Sequence, residues 1–174
     1  MVMSLTINGR VVPAEPGDTV FTAAHRAGIS IPGLCASSHL APFGSCRLCI
    51  CEIEGQSGTP ASCTTPVRPT MVVRTESEEL SRHRHNIVEL YLSEQPDGEL
   101  SGPLHELAVA HGVDRVRYPD DGHRNKRAPV RDDSNPFFTF DNRTCISCAR
   151  CVRACDEIQG TFALTMLKRG FAAR

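Results

Sequence analysis

Cysteine is the side chain of this 174-residue sequence best equipped for chemistry. There are nine: Cys35, Cys46, Cys49, Cys51, Cys63, Cys145, Cys148, Cys151 and Cys155. They form two groups, and none lies between Cys63 and Cys145. Thiolates hold a soft metal only when several converge on one centre, so clustering along the chain is the pattern a metal site needs. A disulfide framework would require an oxidising compartment, and an odd count leaves one thiol over. In a reducing compartment the same side chains stay available as ligands.

Cys35, Cys46, Cys49 and Cys63 are spaced C-x10-C-x2-C-x13-C, with Gly44-Ser45 just before Cys46. Glycine beside a ligand lets backbone N–H groups approach a sulfide-rich cluster, and those groups help set its reduction potential. Four thiolates on a β-rich unit with a long first loop suit a [2Fe–2S] cluster. The gap is longer than the C-x4-C-x2-C of plant-type ferredoxins. A four-thiolate zinc site is the alternative. Cys51 follows Cys49 by two on a predicted strand and is expected to be a buried, inert thiol.

The second group, Cys145, Cys148, Cys151 and Cys155, is C-x2-C-x2-C-x3-C, the run that bacterial ferredoxins use for [4Fe–4S] clusters. Asp156 follows where proline is usual. In two-cluster ferredoxins the fourth cysteine of such a run ligates the other cluster. No cysteine follows Cys155. Either Cys155 closes its own cluster, or a ligand comes from elsewhere, or the site is incomplete.

These cysteines need a frame. Two strands are predicted over 3–8 and 10–14, joined at Asn8-Gly9, a two-residue hairpin signal. Asp18 or Thr19 can cap a helix running to about Ala27, with Gly28 as its stop. A loop opened by Pro32-Gly33 carries Cys35 to Cys46. Further strands are predicted over 48–53, 61–67 and 70–75, with a turn at Gly55 to Gly58. A helix over 77–93 places Leu80, Ile87, Val88 and Tyr91 on one face. Its Arg82-His83-Arg84-His85 run reads as a solvated face. A helix over 104–111 follows, then a loop or linker, a strand over 137–140, a short helix within 146–158 and a strand over 161–167.

Composition narrows the possibilities. With 19 basic and 20 acidic residues the formal charge is −1, without the basic excess of a nucleic-acid binder. No apolar run is long enough for a membrane-spanning helix, and the first residues lack the features of a secretory signal. No phosphate-cradling glycine loop, nucleophile motif or acid–base pair stands out, so no catalytic site of its own is expected.

Pro32-Gly33-Leu34-Cys35, Gly44-Ser45-Cys46-Arg47-Leu48-Cys49 and Ile53 together resemble one branch of ferredoxin domains. It is the N-terminal domain shared by the large iron–sulfur subunit of respiratory NADH dehydrogenase, the diaphorase arm of NAD-linked hydrogenases and the α subunit of NAD-dependent formate dehydrogenases. Ser134-Asn135-Pro136-Phe137-Phe138 and the stretch from Cys151 to Gly160 resemble the formate dehydrogenase α subunit in particular. The resemblance implies an α+β fold. Residues 1–76 would be a β-grasp [2Fe–2S] ferredoxin-like domain. Residues 77–117 would be a helical region equivalent to a segment that in the family holds a third cluster through one histidine and three cysteines. Here Gln95 stands in the histidine's place and the cysteines are absent. His105 and His111 remain, so no cluster is expected there. Residues 118–136 would be a linker, and 137–174 a [4Fe–4S] ferredoxin-type segment, part of the family's domain.

The function implied is electron transfer, with one [2Fe–2S] and one [4Fe–4S] cluster, inside a larger cytoplasmic NAD-linked oxidoreductase. Its partners would be a flavin- and NAD-binding diaphorase subunit and a metal–pterin catalytic subunit. A stand-alone ferredoxin-like shuttle, a hydrogenase diaphorase subunit and a zinc-binding interaction module are the rival readings.

Overall fold

The computed structural model describes residues 3–96, 102–118, 131–168 and 173. The chain divides into two compact units, Met1–Arg84 and His85–Arg174.

In the first unit, β1 (Met3–Ile7) and β2 (Arg10–Ala14) form the expected hairpin. Asn8 and Gly9 both take positive φ, 51° and 78°, as a turn matched to strand twist requires. Alternation sends Leu5, Ile7, Val12 and Ala14 inward. α1 (Val20–Arg26) starts at Thr19, whose hydroxyl accepts from the Thr22 backbone while the Thr22 hydroxyl accepts from Thr19 N–H. Asp18 and Arg26 clamp the start of the helix, with a guanidinium nitrogen 2.8 Å from Asp18 Oδ1.

β4 (Val72–Arg74) lies parallel to β1, pairing Ile7 with Val73, and β3 (Glu52–Ile53) pairs antiparallel to β4. The sheet order is β2-β1-β4-β3. This mixed order, with α1 packed into the sheet's core through Val20, Ala23 and Ala24, is the β-grasp arrangement expected. The Asn8 amide fixes the join: its Oδ1 accepts from Thr75 N–H at 2.8 Å and its Nδ2 donates to Thr75 Oγ1 at 2.7 Å.

Two of the expected strands are corrected. The 48–53 strand shrinks to two residues, because Leu48 to Cys51 bond to neighbours other than the sheet: Ser62 N–H donates to Cys49 O and Cys51 N–H to Pro60 O. The 61–67 strand is replaced by a 3-10 turn at Ser62–Thr64. Pro60 and Pro66 bracket it and cannot donate to a ladder.

α2 (Glu78–Ser93) begins at the Ser77 hydroxyl, which accepts from Leu80 N–H at 3.2 Å. Its covered residues are Leu80, Arg84, Val88, Glu89 and Leu92. The expected face held Ile87 and Tyr91, which are only partly covered.

In the second unit, α3 (Pro103–Ala110) has proline in its first turn, where the missing N–H is harmless, and buries Leu104 and Ala108. The Glu89 carboxylate is fully covered and accepts from Arg117 Nε at 2.8 Å. β5 (Arg131–Asp132) pairs with β6 (Phe140–Asp141), and α4 (Arg150–Glu157) follows. The strand expected over 137–140 reduces to Phe140 at the start of β6. Residues 161–168 form no strand, because no neighbouring strand among the described residues supplies ladder partners. Residues 119–130, most of the expected linker, lie outside the described residues.

Arg117 holds the Glu89 carboxyl below the ordinary 4.5. A carboxylate depressed on folding adds stability above its unfolded pKa and loses it as pH falls through the folded value. Glu89→Gln should therefore lower the unfolding temperature at neutral pH and flatten its decline below about pH 4.5. Parallel acid declines in the variant and the parent, followed by circular dichroism, would contradict this.

Candidate metal centre

Cys35, Cys46, Cys49 and Cys63 come from three separate segments of the first unit and are all buried. Cys35 lies in the loop after α1, Cys46 and Cys49 precede β3, and Cys63 sits in the 3-10 turn. That turn is pinned to α1 from both sides: Val20 N–H donates to Thr65 O, and Val67 N–H donates to Asp18 O, each at 2.9 Å.

The sulfurs form two pairs. Cys46 N–H donates to Cys35 Sγ at 3.3 Å, and Leu34 N–H donates to Cys46 Sγ at 3.4 Å. Burial and the neighbouring Cys46 push the Cys35 thiol up, against the backbone N–H groups of Cys46 and Ser45. In the other pair Cys49 and Cys63 bear on each other, which lowers Cys49 to about 6 and pushes Cys63 up. Gly44 N–H faces the Cys63 sulfur. The fully buried Ser62 hydroxyl also faces Cys49 and helps lower it, without reaching hydrogen-bond geometry with any described group. Among the described residues no three His, Cys, Asp or Glu side chains converge closely enough to hold a single metal ion.

Cys51 lies in the hydrophobic core beside this group. Its thiol donates to Pro60 O at 3.6 Å, and burial pushes it up to about 11. The expected solvated run on α2 needs correction at Arg84, which is buried. Its Nε donates to Leu48 O at 3.0 Å and its Nη2 to Ile50 O at 2.8 Å, on either side of Cys49. Helical spacing carried the signal: Arg84 stands four residues after Leu80 and four before Val88, on the inward stripe.

The second cysteine group is more open. Cys145, Cys148 and Cys155 are partly covered, and Cys151 is exposed. Ser147 N–H donates to Cys145 Sγ at 3.4 Å. Cys155 Sγ accepts from Ala163 N–H at 3.1 Å and lies 3.0 Å from Thr161 Oγ1. The Thr161 hydroxyl, aided by the backbone of Leu164 and Ala163, lowers Cys155. Gln95 is buried and His105 is exposed. All nine cysteines are free thiols. No helix among the described residues is long and apolar enough to cross a membrane.

Residues 1–78 match the family described as 2Fe-2S iron-sulfur cluster binding domain. The mitochondrial NADH-ubiquinone oxidoreductase 78 kDa subunit of Neurospora crassa is 34% identical over 97% of the chain, which covers 23% of that protein. NADPH-Fe(3+) oxidoreductase subunit alpha of Geobacter sulfurreducens is 35% identical over 98% of the chain, which covers 20% of that relative. The chain thus spans about a fifth of the length of these curated relatives. A chain in the crystal structure of NAD+-reducing [NiFe]-hydrogenase in the H2-reduced state superposes with a TM-score of 0.84 at 35% identity. The match covers 99% of this chain and 73% of that one. A buried four-thiol site on a β-grasp sheet, placed beside these likenesses over nearly the whole length, identifies the chain as a member of the iron–sulfur subunit family that includes the 78 kDa subunits of NADH-ubiquinone oxidoreductase and this hydrogenase chain.

Proposed function

We propose that this chain is an electron-transfer module of an NAD(P)-linked oxidoreductase, with a [2Fe–2S] cluster held by Cys35, Cys46, Cys49 and Cys63. The observation that carries the reading is the arrangement of four buried thiols as two pairs faced by backbone N–H groups. Two pairs suit a binuclear centre, in which each iron takes two thiolates, better than one tetrahedral zinc ion.

The fit can be tested at Gly44. Its φ is +69°, and a Cβ there would stand 2.9 Å from Thr64 Cγ2. Only glycine brings this backbone so close to the turn that carries Cys63, with its N–H toward the sulfur. Arg47, with φ of 58°, turns the chain between Cys46 and Cys49, and its guanidinium donates to Thr59 O. The donor set, the covered sulfurs and this close-fitting loop all suit the group.

A cluster of this type supplies one-electron exchange with little movement of its ligands. The chain's own part is to hold the sulfurs, exclude water from them and aim N–H groups that stabilise negative charge on them. Cys145, Cys148, Cys151 and Cys155 we assign to a [4Fe–4S] cluster, on their spacing and on the N–H groups turned toward Cys145 and Cys155.

The partners proposed are a flavin- and NAD-binding diaphorase subunit and a metal–pterin catalytic subunit in the cytoplasm, as the resemblance to formate dehydrogenase suggests. The likeness to the NAD+-reducing hydrogenase supports a second reading, in which a hydrogenase centre is the electron source and this chain belongs to the diaphorase arm.

Cys46→Ala or Cys49→Ala should abolish the paramagnetic signal of the reduced [2Fe–2S] centre, whereas Cys51→Ala should keep it; a surviving signal in either of the first two defeats the ligand assignment. Anaerobically purified chain should hold about six iron atoms if both sites fill, and about two if only the first does. Gly44→Ala should cost roughly 1–2 kcal/mol from φ alone, with a further loss from the Thr64 contact. Adding Thr64→Ser should recover only that further part, read by chemical denaturation.

A further inference from the structure

We propose that Arg84 is a buried counter-cation to the [2Fe–2S] centre and raises its reduction potential. The inference rests on the proposed cluster site and concerns a residue outside the ligand set.

Arg84 is only 4% exposed. Its guanidinium is anchored to the peptide carbonyls of Leu48 and Ile50, at 3.0 and 2.8 Å, on the two sides of Cys49. Both acceptors are neutral. Among the described residues no carboxylate lies within ion-pair distance of it. Glu76, the carboxylate whose charge bears on it, is exposed and screened by solvent. A buried guanidinium always carries its proton, and burying it without an opposing charge is costly.

The missing charge is the cluster's. Four thiolates and two sulfides outweigh two ferric ions, so the loaded centre is a dianion when oxidised and a trianion when reduced. A fixed cation beside it stabilises the reduced state more, since that state carries one further negative charge. Its hydrogen bonds to both peptide carbonyls around Cys49 keep it at constant distance, so it acts on every turnover without moving.

The test is a redox titration of the full chain, purified anaerobically, following the [2Fe–2S] paramagnetic signal in the parent, Arg84→Gln and Arg84→Lys. In Arg84→Gln the reduced-to-oxidised ratio at the parental midpoint should fall at least about tenfold, equivalent to ~59 mV for a one-electron couple. Arg84→Lys keeps the charge but not the two-pronged geometry, and should stay close to the parent. An unmoved midpoint in Arg84→Gln overturns the inference. If Arg84→Gln does not assemble a cluster, Arg84→Lys decides: a midpoint near the parent's supports the charge, and a tenfold fall, or failure to assemble, assigns Arg84 to loop geometry and overturns it. A parent chain without any [2Fe–2S] signal would defeat the cluster assignment itself, a result separable from both.

Discussion

Cys49 and Cys63 bear on each other inside the core, the one lowered and the other raised, and the first unit is arranged so that these two residues meet. They are separated by a long excursion through β3 and its turn. What returns the chain is a short ladder of backbone bonds, Cys51 N–H to Pro60 O and Ser62 N–H to Cys49 O, beside the bridge of Ile50 to Ala61. The same ladder explains why neither flank becomes a full strand. Residues that close on each other around these sulfurs are not free to extend the sheet. The site is therefore built at the expense of regular structure, on a frame fixed elsewhere by β1, β4 and the Asn8–Thr75 tie.

Gathering buried sulfurs carries an electrostatic cost that the surroundings must offset. Desolvation drives buried thiols toward their neutral form, as Cys51 and Cys35 illustrate. A ligand set must go the other way and tolerate thiolates. N–H groups from Leu34, Ser45, Cys46 and Gly44 point at the sulfurs, while the Cys51 thiol donates to a carbonyl oxygen. That contrast, rather than position in the sequence, sets Cys51 apart from the other four buried cysteines. Cys49 and Cys51, two residues apart, share burial but not donors.

Much of this frame was legible in the residues. Asn8-Gly9 fixes the hairpin, Thr19 the start of α1, and the alternation in β1 and β2 the inward face, because each is a local rule with a local outcome. The cysteine spacing singled out Cys35, Cys46, Cys49 and Cys63, which the fold brings in as two buried pairs. Illegible were features decided by tertiary contact: the shortening of β3, the 3-10 turn at Ser62–Thr64 and the inward turn of Arg84. A charged residue within a polar run looks solvated until the carbonyls that receive it are known. On α2 the mean character of the Arg-His run masked the one position whose spacing matched the apolar stripe.

The second unit poses the opposite balance between fold and ligand. Around its cysteine run the strands are two residues long, and the residues buried there are polar, Asn142 and Arg153. Phe137, Phe162, Leu164 and Leu167 are exposed. Ser147 and Ala149 take positive φ, a conformation that side-chain-bearing residues adopt only when held there. A segment with so little apolar burial of its own has few packing contacts to fix its cysteines in place. The first unit holds its sulfurs with a packed core and can shape a site before anything occupies it. Around the second run that core is missing, so the two cysteine groups stand in opposite physical settings at the two ends of the chain.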